Sequence, residues 1–120
     1  MRKKMAARDW IATTRLLAVD KRGRKRRVAV RIGEPYRVTK RDWACPVDSG
    51  ILGRVADARG GDSFQAICLA ISLTRALVED FLEKGGRFLD PDDGTVWPRN
   101  QIGAIFGWKQ ITLMRLRKKA

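Results

Sequence analysis

The sequence predicts an α+β fold: a small antiparallel sheet of about four to five strands with one long helix packed on one face. Three observations carry that expectation. Residues 27–32 alternate strictly between basic or small and apolar side chains, the period of a strand with one buried face. Residues 63–84 place apolar side chains at helical spacing between a capping aspartate and a pair of glycines. The chain has 120 residues, 44% of them hydrophobic, which is enough for one core and leaves no segment for a second domain.

Residues 10–19, rich in Thr, Ile, Leu and Val and ending at Asp20, suit a strand entering a turn. Gly23 supplies the conformational freedom of that turn. In the next strand Val28, Val30 and Ile32 share one face, and Arg27, Ala29 and Arg31 the other. Gly33-Glu34-Pro35 ends it, because Pro35 has no amide proton for a ladder. A third strand is expected over 43–47, with Trp43, Cys45 and Val47 on one face and Pro46 marking an edge or bulge. Asp48-Ser49-Gly50 reads as a turn, and a fourth, weaker strand is expected over 52–58.

The helix is expected over 63–84, with Asp62 as N-cap, Gln65 in capping-box position and Gly85-Gly86 as C-cap. Its buried stripe would be Ile67, Ala70, Ile71, Thr74, Leu77, Val78 and Phe81, widened by Phe64, Leu69, Leu73 and Leu82. Both cysteines, Cys45 and Cys68, are expected to be buried as small hydrophobes. Arg87-Phe88-Leu89 suits a short last strand, and Ile102 to Phe106 an apolar turn closing the core. Asp90-Pro91-Asp92-Asp93-Gly94 places its glycine one position too early for an EF-hand loop, so a solvated turn is expected. The domain is therefore placed at 9–107, flanked by a flexible basic arm, 1–8, and a basic tail, 108–120.

Charge is the strongest functional signal. Lys and Arg number 26 against 13 Asp and Glu, a formal charge of +13. Lys21, Arg22, Arg24, Lys25, Arg26 and Arg27 surround Gly23 at the tip of the expected hairpin. Arg31, and Arg54 from the fourth strand, are expected to share the exposed sheet face with Arg27. A surplus of that size favours an acidic partner. The absence of histidine excludes Ser-His-Asp and Cys-His nucleophiles and imidazole metal ligands. Two cysteines do not make a zinc site, so no cofactor, metal or catalytic residue is expected. Met1-Arg2-Lys3-Lys4 is followed by no apolar run, which argues against a signal peptide and for a reducing cytoplasm.

The segments Val28-Ala29-Val30-Arg31-Ile32-Gly33-Glu34-Pro35-Tyr36, Asp42-Trp43-Ala44-Cys45-Pro46-Val47 and Gly60-Gly61-Asp62-Ser63-Phe64-Gln65-Ala66 carry a resemblance. With Leu69-Ala70-Ile71, Gly85-Gly86 and Ile105-Phe106-Gly107, the chain resembles a bacterial family of short proteins with a domain of unknown function. The resemblance runs over about residues 9 to 107 and implies the same fold, a small antiparallel sheet crossed by one helix. It implies no activity.

Two functions compete. The first is a non-enzymatic interaction module, of accessory or immunity type, docking an acidic protein through the basic face and an open strand edge. The second is non-specific nucleic-acid binding, with the hairpin cations and basic termini on phosphates. A groove at the start of the helix, lined by Tyr36, Trp43 and Asp62, is a lesser candidate. Membrane contact through Trp108, Ile111, Leu113, Met114 and Leu116 of the tail is weaker still, for want of helical spacing.

Overall fold

The structure is a computed structural model, and it describes residues 9–107. The expectations for 1–8 and 108–120 lie outside the described residues. The chain is α+β. It runs β1 (Trp10–Val19), β2 (Lys25–Gly33), β3 (Tyr36–Arg37), β4 (Trp43–Cys45), β5 (Val47–Asp48), β6 (Ala58–Gly60), α1 (Ser63–Glu83), β7 (Arg87–Leu89) and α2 (Arg99–Ile105). The strands form two antiparallel sheets rather than one, a larger sheet ordered β5-β2-β1-β7 and a smaller one ordered β3-β4-β6.

The hairpin of β1 and β2 is the longest element of the larger sheet. Its turn is built by Asp20, whose carboxylate accepts from the amides of Arg22 and Arg24 at 2.9 and 3.0 Å. Gly23 takes φ +85°, a conformation open to glycine at no steric cost. On β2, Val28, Val30 and Ile32 are buried while the residues between them are at least partly exposed.

The expected third strand is divided. Pro46 ends β4, and the chain re-enters the other sheet as β5. The corner is tight: Gly33 donates its amide to the Pro46 carbonyl at 2.9 Å, and a Cβ on Gly33 would lie 2.8 Å from Cβ of Pro46. The expected strand over 52–58 is not there. Gly50–Leu52 is a 3-10 turn that buries Leu52, Gly53 follows with φ +150°, and the chain stays irregular until β6. With Leu52 turned into the core and weak alternation after it, that stretch has no apolar face to lay on a sheet.

α1 begins where expected. Asp62 accepts from the Gln65 amide at 2.8 Å, and the Gln65 side chain accepts from the Gly61 amide at 2.6 Å. It ends in a glycine cap, with the Gly85 amide on the Leu82 carbonyl and the Gly86 amide on the Phe81 carbonyl. The fully buried line is narrower than the expected stripe: Ala66, Ala70, Thr74 and Val78, one residue per turn. Small side chains along this line let the helix settle close on the strands. The N-terminal half of α1 packs with Ile32, Cys45 and Ala58, and its C-terminal half with Leu16, Val28, Val30, Phe88 and Ile102. Phe64, Leu69 and Ile71, expected inside, are instead exposed, Phe64 by 75%. Cys68 is exposed as well, and only Cys45 is buried. At about 100° per residue, these side chains fall outside the line of Ala66, Ala70, Thr74 and Val78, on the sides of the helix turned from the strands. β7 adds Phe88 to the core, and α2 closes it with Ile102 and Phe106. In the loop after β7, Asp90 accepts from the amides of Asp92 and Asp93, and Asp93 from Thr95, so the acidic run forms a self-bonded turn.

Candidate anion-binding surface

The six cations of residues 21–27 are spread over three places. Lys25 and Arg27 point to the outer face of the larger sheet, away from α1, because Val28 and Val30 point inward. Arg26, opposite Ala18, lies on the inner side at the exposed end of the hairpin. Lys21, Arg22 and Arg24 surround the turn, beside the end of α1. Arg31 lies on the outer face with Arg27, its guanidinium 6.0 Å from the centre of the Trp10 ring, within cation–π range. Arg54 does not join them: it is exposed in the irregular segment after Leu52 and belongs to no strand.

The register shows two cations of this face that the sequence reading did not single out. Arg15 sits opposite Ala29, between the rows of Arg27 and Arg31, and Arg87 sits opposite Val19, which pairs with Lys25 on its other side. Alternation along β1 (Thr13, Arg15, Leu17) was the available signal for Arg15. Arg87 becomes visible only when β7 is known to join β1. Lys25 and Arg31 are six residue steps apart, about 20 Å of strand. Strands β1, β2 and β7 contain no acidic residue, and among the described residues the one carboxylate across from this face in register is Asp48, opposite Arg31. The ion pairs Arg59–Asp42, Arg75–Glu79 and Lys84–Asp80 use none of these five cations.

The open edge expected of the sheet is on β1. On the side away from β2, β7 covers only residues 17–19, so among the described residues no strand pairs with Ile11 to Leu16 on that edge. Ile11, Ala12 and Thr13 are exposed there. The lesser candidate, Tyr36, Trp43 and Asp62, is absorbed into structure. Tyr36 donates its hydroxyl to Asp57 at 2.5 Å, Trp43 lies under the guanidinium of Arg37 at 5.2 Å, and Asp62 caps the helix.

The Cys45 thiol donates to the Gly33 carbonyl, and burial, with the Asp57 charge, pushes its pKa from 9.0 up to about 11. A thiol held neutral and enclosed is a poor nucleophile. Asp20 is held below the usual carboxylate range by the backbone amide of Arg24, then by that of Arg22, so it stays ionised within the basic turn.

Residues 13–93 match a family described as a domain of unknown function (DUF6968). The chain belongs to that family. The DUF6968 match covers the sheet from Thr13 onward, the whole of α1 and β7, and it stops short of α2, so Ile105-Phe106-Gly107 lie outside it. No curated protein and no solved structure matches the chain. Among the described residues of this DUF6968 protein, no helix is long and apolar enough to cross a membrane.

Proposed function

We propose that this protein is a non-enzymatic interaction module of the bacterial cytoplasm that docks an acidic protein on the outer face of β1 and β2. The observation that carries the proposal is the row of Arg15, Lys25, Arg27, Arg31 and Arg87 on strands that contain no acid and make none of the ion pairs above. The strands fix the backbone spacing of these cations, so a partner meets them at set positions and binding orders only their side chains. Half-buried Leu17, opposite Arg27, lies among them on the same face. That mixture of apolar centre and charged surround suits a protein surface better than a phosphate backbone. The open β1 edge beside Arg15 offers amides and carbonyls to a strand of the partner.

The test is affinity capture from nuclease-treated bacterial extract, with the wild-type chain and with Arg15→Ala/Arg27→Ala/Arg31→Ala. An acidic protein retained by the wild type and lost by the variant supports docking. Recovery of nucleic acid alone would overturn it in favour of phosphate binding. Log affinity for a duplex would then fall with log salt with a slope of about −5 for six neutralised phosphates.

A further inference from the structure

The turn between β1 and β2 and the end of α1 enclose a cleft of about 320 Å³, lined by Lys21, Arg22, Arg24, Phe81, Lys84 and Gly86, with the Asp20 carboxylate in its wall. We propose that this cleft binds a small aromatic phosphate, the ring against Phe81 and the phosphate among Lys21, Arg22 and Arg24. The proposal does not rest on the docking of an acidic protein, which uses the outer face of the sheet.

Four features support it. First, the walls are fixed. Asp20 clamps the turn through the amides of Arg22 and Arg24, and the Lys21 stem passes over Gly85 with its Cγ 3.4 Å from where a Cβ there would stand. Phe81 is locked by Phe88, ring centres 5.1 Å apart, and by Gly86, where a Cβ would stand 2.3 Å from the ring. Second, the floor is apolar: Phe81 is half-buried and borders the cleft, so a flat ring gains contact there.

Third, the charge matches. Lys84 is paired with Asp80 at 2.9 Å, which leaves Lys21, Arg22 and Arg24 against the single carboxylate of Asp20. The surplus is close to the charge of about −1.5 to −2 on a phosphate monoester near pH 7. Arginine forks bind phosphate oxygens through paired N–H donors, which a single carboxylate would use less fully. Fourth, the helix end offers little opposition. The carbonyls of Asp80, Phe81 and Leu82 already accept from Lys84, Gly86 and Gly85, so they do not face the cleft unpaired. The volume is at the small end of the range for ligand pockets, of the order of 300–1,000 Å³, which suits a single ring with one phosphate.

The experiment titrates the isotope-labelled full chain with phenyl phosphate and follows the backbone amides of Arg22, Arg24 and Gly86 by NMR. Inorganic phosphate and phenol, titrated separately, supply the two halves of the ligand. Saturable shifts at these amides, at least tenfold tighter for phenyl phosphate than for either half, are expected. Arg22→Ala/Arg24→Ala should weaken binding at least tenfold. Arg15→Ala/Arg27→Ala/Arg31→Ala should leave it unchanged while removing the acidic partner, which separates this cleft from the sheet face. Because Phe81 is part of the core, Phe81→Leu is read only with a native spectrum, and a tenfold loss is expected there. Equal affinity for inorganic and phenyl phosphate, shifts centred elsewhere, or indifference to the turn variant would each overturn the proposal.

Discussion

Gly60 lies against the backbone of Ala66 so closely that a Cβ on Gly60 would stand 2.6 Å from the Ala66 nitrogen. The contact joins the last residue of β6 to the first turn of α1, backbone to backbone. A side chain can rotate away from a crowded neighbour; a helical amide nitrogen cannot move without shifting the helix. Gly60→Ala should therefore cost about 3 kcal/mol, the upper end of ordinary overpacking, and lower Tm by on the order of 10 °C. Gly61→Ala is the control, since its Cβ would meet only the Gln65 side-chain oxygen, at 3.5 Å. Thermal melts of the two variants check this, and equal melting would mean that α1 is not seated on β6 in this way.

A second expectation concerns Tyr36 and Asp57. The 2.5 Å bond between them ties β3 to the residue before β6, across the intervening β4. A hydrogen bond to a charged acceptor contributes about 1.5–3 kcal/mol. With the pair only partly buried, Tyr36→Phe should cost about 1.5 kcal/mol in urea denaturation. A double-mutant cycle with Asp57→Ala, which removes the acceptor, should recover most of that as coupling. Additive effects would show that the two side chains act independently.

These contacts show where sequence reasoning reached and where it stopped. Local chemistry was legible: the alternation of β2, the Gly23 turn, the Asp62 cap and the Gly85-Gly86 stop are each decided within a few residues. The division of the 43–47 strand at Pro46 was only half legible, because proline signals a break but not which sheet the chain joins next. The width of the helix stripe was not legible at all. Phe64, Cys68, Leu69 and Ile71 have core-like chemistry, and the line along which the helix meets the strands, Ala66, Ala70, Thr74 and Val78, leaves them outside. The same holds for the basic residues. A run of cations shows that charge is present, whereas register decides that Arg15 and Arg87 join Lys25 and Arg27 and that Arg26 and Arg54 do not.

The two cysteines should behave in opposite ways. Cys68 is exposed and Cys45 is buried with a raised pKa, so a thiol reagent at neutral pH should label one site in the native protein and two in denaturant. The shift also sets a pH dependence. An acid whose folded pKa is raised lends stability below its unfolded pKa and loses it as pH rises through the folded value. Cys45 should therefore weaken the fold between about pH 9 and 11, from the ordinary value of 9.0 to the folded value of about 11. Urea midpoints of wild type and Cys45→Ala should converge across that window. A constant difference would show that the thiol titrates normally.

Arg15 supplies the sharpest check on the candidate surface, since it stands opposite Ala29 between Arg27 and Arg31. Its neighbours across the strand and along the face are Ala29, Arg27 and Arg31, so removing it opens a gap in the middle of the cationic row. The side chain is exposed and makes none of the ion pairs Arg59–Asp42, Arg75–Glu79 and Lys84–Asp80 among the described residues, so Arg15→Ala should leave stability within about 0.5 kcal/mol. Its effect should fall on association. Loss of one cation from a steering patch slows encounter with an acidic partner and flattens its salt dependence. In stopped-flow or surface-capture kinetics, Arg15→Ala and Arg27→Ala should lower the association rate by similar factors, about threefold each, and Arg54→Ala should not. If Arg54→Ala were as damaging as Arg15→Ala, total charge rather than the outer face of the sheet would govern binding.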